Sequence, residues 1–204
     1  MEEPKFSRLC ELSHGNYDAF LYDCDGTLAD NMPLHTETYL EVAKTYNVTI
    51  DSDIIYELAG WPIAEVVVEI NKRYGTAMDP EEFKTRKADI YMQRYIETIQ
   101  PVPHVLKHLK EHADKKRIAV VSGGDRQAIK KTLIVLGIYD MVDVLVCSGD
   151  TVLGKPFPDP FLKAAELLNV APENCLVFED GEPGVTAAKA AGMSWIRVDT
   201  LSSG

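Results

Sequence analysis

The segment Ala19 to Asp30 reads AFLYDCDGTLAD. It opens with an apolar run that is typical of a buried strand and ends in a polar turn. The acids Asp23 and Asp25 stand one residue apart at that turn, and a glycine and Thr27 follow them. Burying two carboxylates that repel each other is costly unless a cation accompanies them. The segment therefore predicts a site for a hard cation with a carboxylate nucleophile, rather than an ordinary strand end.

The residues after this segment fall into two patterns. Residues 33–98 read as helices without a strand signal, the last of them over 79–98, whereas later residues alternate short apolar runs with helical segments. The predicted strands are 19–22, 117–122, 142–147, 175–178 and 195–198. Such alternation is typical of a parallel sheet with helices on both faces. We therefore predict an α/β fold, with a Rossmann-like parallel-sheet core (1–31 plus 99–204) and an all-helical cap domain (32–98) inserted after the first strand.

Composition narrows the choice of partners and compartment. The chain has 204 residues, a formal net charge of −11 and a pI of about 4.9, which argues against nucleic acid and anionic membranes as partners. No apolar run approaches the roughly twenty residues of a membrane span, and the acidic N-terminus does not resemble a signal peptide. The four cysteines are scattered, as in reduced compartments. We expect a cytoplasmic monomer, and we assign no function to residues 1–18, a leader of one or two helical turns.

Polar residues follow the predicted strands at one edge of the sheet. Ligands of open α/β sheets bind beyond the carboxyl ends of the strands. These ends and the loops after them carry Asp23 and Asp25, Ser122 with Gly123 and Gly124, Lys155, and Glu179 with Asp180. Each group alone is a weak signal, but their convergence at one edge predicts a catalytic site.

The residue types at this edge suit phosphoryl chemistry. Oxygen atoms of Asp23 and Asp180, with Glu179 as a further candidate, are ligands that Mg²⁺ prefers. Ser122 and the backbone N–H groups of the glycines after it can hold phosphate oxygens at a helix start. Lys155 supplies a positive charge for the same phosphate. One aspartate can attack phosphorus while another serves as general acid and then as general base.

These motifs resemble those of the haloacid dehalogenase-like superfamily, in particular its sugar-phosphatase and β-phosphoglucomutase-like branch. The family pattern is Asp-x-Asp-Gly-Thr, a Ser or Thr after the second strand, a Lys before Pro, and an acidic pair. All four motifs are present in family order, and the resemblance covers about residues 17–200. The helical insert is similar to the mobile cap of that family.

The resemblance implies roles for individual residues. Asp23 would be the nucleophile and Asp25 the acid and base, and Mg²⁺ would bind Asp23, the main-chain carbonyl of Asp25, and Asp180. Glu179 would lie in or next to the metal's ligand set. His35 stands where the branch often has a histidine, so a role beside the substrate or at the cap hinge competes with a packing role. Phosphate-binding candidates are Thr27, Ser122, Gly123 and Gly124.

The leading hypothesis is a Mg²⁺-dependent phosphatase that hydrolyses a small phosphorylated metabolite, a sugar or polyol phosphate, through an aspartyl-phosphate intermediate. The alternative is a sugar phosphomutase, which needs cap cations for a second phosphate, yet no Lys or Arg occurs from Thr45 to Asn71, and the directions of Lys72 and Arg73 are open. A dehalogenase needs neither Asp25 nor Asp180. A phospho-receiver signalling module would be shorter and would lack the helical insert.

Two further patterns are expected to carry no chemistry. The segment 149–155 has the GxxxxGK spacing of a nucleotide-binding loop, but Pro156 follows where a helix should start. His104, His108 and His112 recur at helical spacing, as zinc ligands on one face could. Because no further acid or cysteine ligand stands beside them, we predict a solvent-facing histidine stripe instead.

Overall fold

The computed structural model describes residues 2–58 and 61–201. Its contacts divide the chain into two compact units, residues 1–30 with 99–204 and residues 31–98. The strands are β1 (Ala19–Tyr22), β2 (Ala29–Asp30), β3 (Gln100–Pro101), β4 (Arg117–Val121), β5 (Val144–Val146), β6 (Cys175–Glu179) and β7 (Ser194–Arg197). The α-helices are α1 (Glu2–Leu12), α2 (Met32–Thr45), α3 (Asp53–Glu57), α4 (Ile63–Tyr74), α5 (Pro80–Ile90), α6 (Pro103–His112), α7 (Arg126–Val135), α8 (Asp159–Leu168) and α9 (Glu182–Ala190).

The first unit is built on a parallel sheet with the strand order β5-β4-β1-β6-β7. Strand β1 lies at the centre, and Tyr22 pairs with Val120 on one side and with Phe178 on the other. Strands covered on both faces need near-continuous apolar sequences, and β1, β4 and β6 have them. The predicted α/β fold is confirmed, and the carboxyl ends of β1 and β6 lie side by side.

Side chains of β1 alternate between two layers of helices. Ala19 and Leu21 pack with Phe161 of α8 and residues of α9 in one buried cluster. Phe20 faces the opposite layer, where its ring stacks on His108 of α6 at a centroid distance of 5.4 Å. Because successive side chains of a strand point to opposite faces, alternate residues of β1 contact the two helical layers.

The predicted histidine stripe is wrong, because His104 and His108 are buried. Helical spacing shows that the three histidines share a face of α6, but not what that face contacts. In the structure it packs against the sheet beside Phe20 and Phe178. Only His112 keeps partial exposure.

The N-terminal leader is longer than one or two helical turns. Helix α1 spans Glu2–Leu12, and its Leu9 is fully buried while Phe6 is nearly so. Lys107 of α6 contacts both the ring of Phe6, at 3.9 Å from its centroid, and Glu3 at 3.1 Å. The leader is therefore a docked helix of the first unit.

The second unit is helical, as expected, and has its own apolar core. Val42, Val67, Ile70 and Phe83 belong to one buried cluster drawn from its helices. The helix predicted over 79–98 ends as an α-helix at Ile90 and continues as a π-helical turn and a 3₁₀ turn. Helix α3 is short, with five residues from Asp53 to Glu57.

A two-residue antiparallel pair, β2 with β3, joins the points where the chain leaves the first unit and returns to it; the sequence patterns did not predict it. Within the described part of the chain, no helix combines the length and apolarity that crossing a bilayer requires.

Candidate active site

The turn after β1 is held by its own backbone. The carbonyl of Cys24 accepts the N–H groups of Leu28 and Ala29 at 2.9 Å, and Gly26 donates to the carbonyl of Ala29 at 2.8 Å. Gly26 has a φ of +87°, a conformation that costs little only for glycine. The turn leaves Asp23 buried and Asp25 half-buried at the carboxyl end of the central strand.

Gly26 also makes room for an acid from another strand. A Cβ atom on this residue would lie 2.1 Å from Oδ2 of Asp180. The hydroxyl of Thr27 donates to Oδ1 of the same carboxylate at 3.4 Å. The Asp-x-Asp-Gly-Thr motif therefore serves two purposes, since its acids belong to the site and its Gly and Thr receive Asp180. Contact of Thr27 with phosphate stays a prediction.

Lys155 connects the two central strands. Its Nζ lies 2.7 Å from Oδ1 of Asp23 and 2.6 Å from Oε1 of Glu179, and it donates to the carbonyl of Val121 at 2.8 Å. Its side chain is only 10% exposed. The loop that carries Lys155 does not open a helix, since α8 begins at Asp159. An ammonium group held on three sides can compensate two buried carboxylates.

Glu179 is fixed through both of its carboxylate oxygens. Oε1 accepts from Lys155, and Oε2 accepts the N–H of Gly181 at 3.1 Å. A Cβ atom on Gly184 would lie 1.8 Å from Oε1 of Glu179. The role of Gly184 was missed from the sequence; its signal is a glycine in the first turn of the helix that follows an acidic pair.

The three acids perturb one another. Burial raises the pKa of Asp23 well above its ordinary range, Lys155 opposes this shift, and Glu179 and Asp180 add to it. Burial, followed by the charge of Glu179, raises the pKa of Asp180 to about 6. Burial alone would lower the pKa of Lys155, yet Asp23 and Glu179 raise it above its ordinary value. Lys155 is therefore charged at neutral pH, and the acids around it carry unrelieved repulsion.

The acids are spaced as ligands of a single cation. Asp23, Glu179 and Asp180 each offer an oxygen, and these atoms lie within 4.8 Å of one another. Three carboxylates and the single ammonium of Lys155 have a formal charge of −2, which a divalent cation would neutralise. Oxygen ligands of this kind suit Mg²⁺.

The loop after β4 contributes backbone donors. Ser122 is buried, and its Oγ accepts the N–H of Gly124 at 3.0 Å. A Cβ atom on Gly124 would lie 2.7 Å from Cδ1 of Ile129, whereas Gly123 is exposed with open space around it. Asp125 caps α7 by accepting the N–H of Gln127 at 2.8 Å. Hydrogen bonds thus hold the loop on both sides of Gly123. Phosphate binding by these residues stays a prediction.

His35, the remaining predicted residue, belongs to the second unit. Its Nδ1 lies 3.1 Å from Nζ of Lys87, and its ring stacks on Tyr91 at 4.3 Å. Lys87 also lies 4.8 Å from the ring centroid of Tyr39. Sequence reasoning missed Lys87; a signal was available, because Phe83 and Tyr91 stand four residues to either side of it on the buried face of one helix.

Comparisons with known proteins find a hydrolase family and named phosphatases among the relatives of this chain. The model of the haloacid dehalogenase-like hydrolase family matches residues 17–192. The chain is similar to the fructose-1-phosphate phosphatase YqaB of Escherichia coli, with 30% identity over 91% of this chain and 98% of that protein. It is 33% identical, over 88% of this chain and 83% of the relative, to a phosphorylated carbohydrates phosphatase of Thermotoga maritima.

Solved structures have the same fold. One from Thermotoga maritima that carries a β-phosphoglucomutase assignment superimposes with a TM-score of 0.68 and 30% identity, over 86% of this chain and 82% of that one. The phosphate complex of CbbY from Rhodobacter sphaeroides superimposes with a TM-score of 0.78 at 22% identity, covering 88% of this chain and 84% of the other.

Proposed function

This chain belongs to the haloacid dehalogenase-like hydrolase family, and on that premise we propose that it is a Mg²⁺-dependent phosphatase acting on a small sugar or polyol phosphate through an aspartyl-phosphate intermediate. Family membership and the named phosphatases among its relatives identify it as a phosphoric monoester hydrolase. The metal, the intermediate and the substrate class are the proposed parts.

One observation carries the proposal. Lys155 bridges Asp23 and Glu179, and Asp180 completes an acid cluster whose ligand oxygens lie within 4.8 Å. This arrangement places the ammonium group of Lys155 beside the attacking oxygen of Asp23. The acids keep a net negative charge, which a divalent metal ion would neutralise. Both would oppose the charge of a phosphate monoester in its transition state.

The proposed reaction has two half-reactions. A carboxylate oxygen of Asp23 attacks phosphorus, the bond to the ester oxygen breaks, and Asp25 donates a proton to the departing alkoxide. Asp25, now ionised, removes a proton from a water that attacks the aspartyl phosphate, which restores Asp23 and releases inorganic phosphate. Before the attack, Lys155 favours the ionised form of Asp23 and lies 2.7 Å from its Oδ1.

Asp23 and Asp180, with the carbonyl of Asp25 and with Glu179 beside them, would hold Mg²⁺. When bound, the metal supplies Lewis-acid stabilisation of the phosphate oxygens. Ser122 and the N–H of Gly123 would hold the same phosphate; the N–H of Gly124, a further candidate, donates to Oγ of Ser122 in this structure.

The charges in the second unit favour hydrolysis over phosphomutation. Arg73 donates from both terminal nitrogens to Glu57, at 2.7 and 2.8 Å, and from Nε to Glu69 at 2.7 Å. Lys72 is exposed and contacts Glu69. A mutase must grip a second phosphate while the first is on the nucleophile, and these two cations already have carboxylate partners. We give His35 the role beside a sugar or polyol that the family resemblance implies, and Lys87, which is buried and lies 3.1 Å from Nδ1 of His35, would hold that ring in place.

The proposal is tested by trapping the intermediate. During turnover of β-glucose 1-phosphate, borohydride should reduce the aspartyl phosphate and convert residue 23 to homoserine, which peptide mass analysis identifies. Asp23→Asn should abolish both phosphate release and trapping. Asp18→Asn, at the opposite end of the same strand, is the matched control and should leave both intact. Trapping at any other residue would contradict the assignment.

Metal and reaction type are tested with the same protein. Phosphate release should stop with a chelator, return with Mg²⁺ and be inhibited by Ca²⁺, whose looser coordination misplaces the nucleophile. Adding a sugar bisphosphate primer should leave free phosphate as the product. Formation of glucose 6-phosphate faster than free phosphate would make the phosphomutase alternative correct.

A further inference from the structure

Helix α1 lies outside the stretch that the family model matches, which starts at residue 17. It is nevertheless an ordered part of the first unit, because Leu9 is fully buried and Ser13, just after the helix, is 5% exposed. The helix therefore lies outside the part of the chain on which the family match rests. Ser13, directly after its last turn, begins a series of buried hydrogen bonds.

That chain of hydrogen bonds runs from α1 to the central strand. Oγ of Ser13 lies 2.8 Å from Nε2 of His108, and Nδ1 of the same ring lies 2.8 Å from the hydroxyl of Tyr22. Ser13 also contacts the carbonyl of Cys10 at 3.2 Å. His108 and Tyr22 are fully buried, so each bond is made away from water.

Only one assignment of donors and acceptors is consistent with this series of hydrogen bonds. The carbonyl of Cys10 can only accept, so the hydroxyl of Ser13 donates to it. Ser13 Oγ then accepts the proton of His108 Nε2, which leaves Nδ1 to accept from the hydroxyl of Tyr22. Burial lowers the pKa of His108 to about 3, with a smaller contribution from His112, so the ring is neutral as this assignment requires.

Tyr22 is next to the groups that the proposed reaction uses. Its ring stacks on that of Phe178, its partner on β6, at 4.4 Å between centroids and 10° between planes. The residues that follow this aromatic pair are Asp23 and Glu179, which share Lys155. The N–H of Asp23 continues the strand pairing by donating to the carbonyl of Phe178 at 2.9 Å.

We propose that Ser13, His108 and Tyr22 are positioning residues that fix the carboxyl end of the central strand, so that Asp23 is held at the angle of attack by the N-terminal helix. The inference rests on the proposed role of Asp23 as nucleophile. The hydrogen bond from the Tyr22 hydroxyl to His108 fixes the position of the Tyr22 ring, and Tyr22 directly precedes Asp23. Removing the bond leaves the substrate contacts in place and misdirects the attacking oxygen.

Steady-state kinetics test this proposal through the division of effects between kcat and KM. Tyr22→Phe and Ser13→Ala should each lower kcat about tenfold and change KM by less than about twofold, as expected for lost alignment. The double variant should lose no more kcat than the worse single variant, because both substitutions break the same series of hydrogen bonds. Leu9→Ala is the matched control: it removes a buried side chain of α1 but keeps the backbone carbonyl that accepts the N–H of Ser13 at 2.9 Å, and it should keep kcat.

Amide hydrogen exchange supplies a readout that does not depend on activity. In Tyr22→Phe and Ser13→Ala, exchange at the amide of Asp23 should accelerate about tenfold relative to the amide of Leu21, while in Leu9→Ala both amides should accelerate together. An unchanged ratio in Tyr22→Phe, or an equal loss of kcat in Leu9→Ala, would overturn the positioning role. If the wild-type protein releases no phosphate from any ester, the proposed function fails, and the exchange ratio still decides this inference.

Discussion

Lys155 in the first unit and Lys87 in the second are both buried, and the two units hold them differently. Lys155 lies between the carboxylates of Asp23 and Glu179 at 2.7 and 2.6 Å. Lys87, which is 4% exposed, contacts the imidazole of His35 at 3.1 Å and lies over the ring of Tyr39. The described contacts of Lys155 are with two carboxylates and a carbonyl, whereas those of Lys87 include a ring nitrogen and aromatic faces.

The difference shows where each unit can tolerate change. Replacing Lys155 leaves two buried carboxylates facing each other, and the penalty for such a pair is severe. Contacts with imidazole and aromatic faces are weaker, and an apolar side chain of similar length keeps part of the packing. Substitutions in the first unit should therefore affect the chemical step, and those around Lys87 should affect recognition of the substrate.

Lys155→Met is the substitution with the largest expected effect. It should lower kcat by about a thousandfold or more, because both the ionisation of Asp23 and the screening of the phosphate depend on this ammonium group. Phosphate release under saturating substrate measures it. Lys163→Met, which removes an exposed lysine paired with Glu166 on α8, is the control and should be neutral. A loss below tenfold would remove the contrast between the two buried lysines.

Gly26→Ala and Gly75→Ala compare the units at glycines with similar backbones. Gly26 (φ +87°) faces Asp180, whereas a Cβ on Gly75 (φ +65°), which ends α4, meets nothing within 4 Å. Gly75→Ala should cost about 1 kcal/mol of unfolding free energy and keep activity. Gly26→Ala should cost about 2–4 kcal/mol and lower kcat about a hundredfold, because Asp180 must move. Urea unfolding and phosphate release measure the two effects, and equal costs at both positions would show that contact with Asp180 has no importance.

Lys87→Met should change specificity more than catalysis. We expect KM for a sugar phosphate to rise about tenfold, while kcat/KM for p-nitrophenyl phosphate stays within about twofold, because a small aryl ester makes few contacts beyond the phosphate. Lys84→Met, an exposed change on the same helix, is the matched control. Equal losses of kcat/KM on both substrates would show that Lys87 affects the chemical step, and the two units would then not differ in the way proposed.

The smallest predicted effect is a pair of opposite pH dependences. The raised pKa of Asp180, about 6 against 3.8, means that the folded protein binds the proton more tightly than the unfolded chain does. Unfolding free energy should therefore fall as pH rises from about 4 to about 6 in metal-free protein, by on the order of 2 kcal/mol. Urea unfolding at several pH values measures the slope, which Asp180→Asn should flatten and saturating Mg²⁺ should reverse.

In the second unit the sign is the opposite. Hydrogen bonds from Arg73 lower the pKa of Glu57 below its ordinary value of 4.5, so the stability from this pair is complete above that value and is lost as pH falls through the lowered pKa. Arg73→Met should remove this acid dependence and leave the Asp180 slope unchanged. If Arg73→Met also altered the slope between about pH 5.5 and 6.5, above the ordinary pKa of Glu57, the assignment of that slope to Asp180 would be wrong.

Much of the first unit could be predicted from local patterns. Apolar runs identified the strands, and acids, glycines and a lysine at their ends predicted the edge at which Asp23, Lys155, Glu179 and Asp180 meet. Such inferences succeed because strand order matters little to them. All parallel strands of a sheet present their carboxyl ends on the same side, whichever neighbours they pair with.

Three features were not predicted in this way, and they share one physical reason. Periodicity grouped His108 with two other histidines, gave the leader one or two helical turns, and assigned no role to Lys87. In each case the decisive information is what lies opposite: Tyr22 and Ser13 for His108, α6 for the leader, and His35 for Lys87.

Local sequence therefore determined which residues carry charge and where strands end, because these depend on neighbours along the chain. Only the tertiary structure decided which polar groups are buried and what compensates them. Burial depends on surfaces that come from distant parts of the chain, and the free energy of a buried polar group is set by the partner it finds there. Helical spacing alone predicts a solvated side chain for His108, whereas the fold supplies partners for both of its nitrogens.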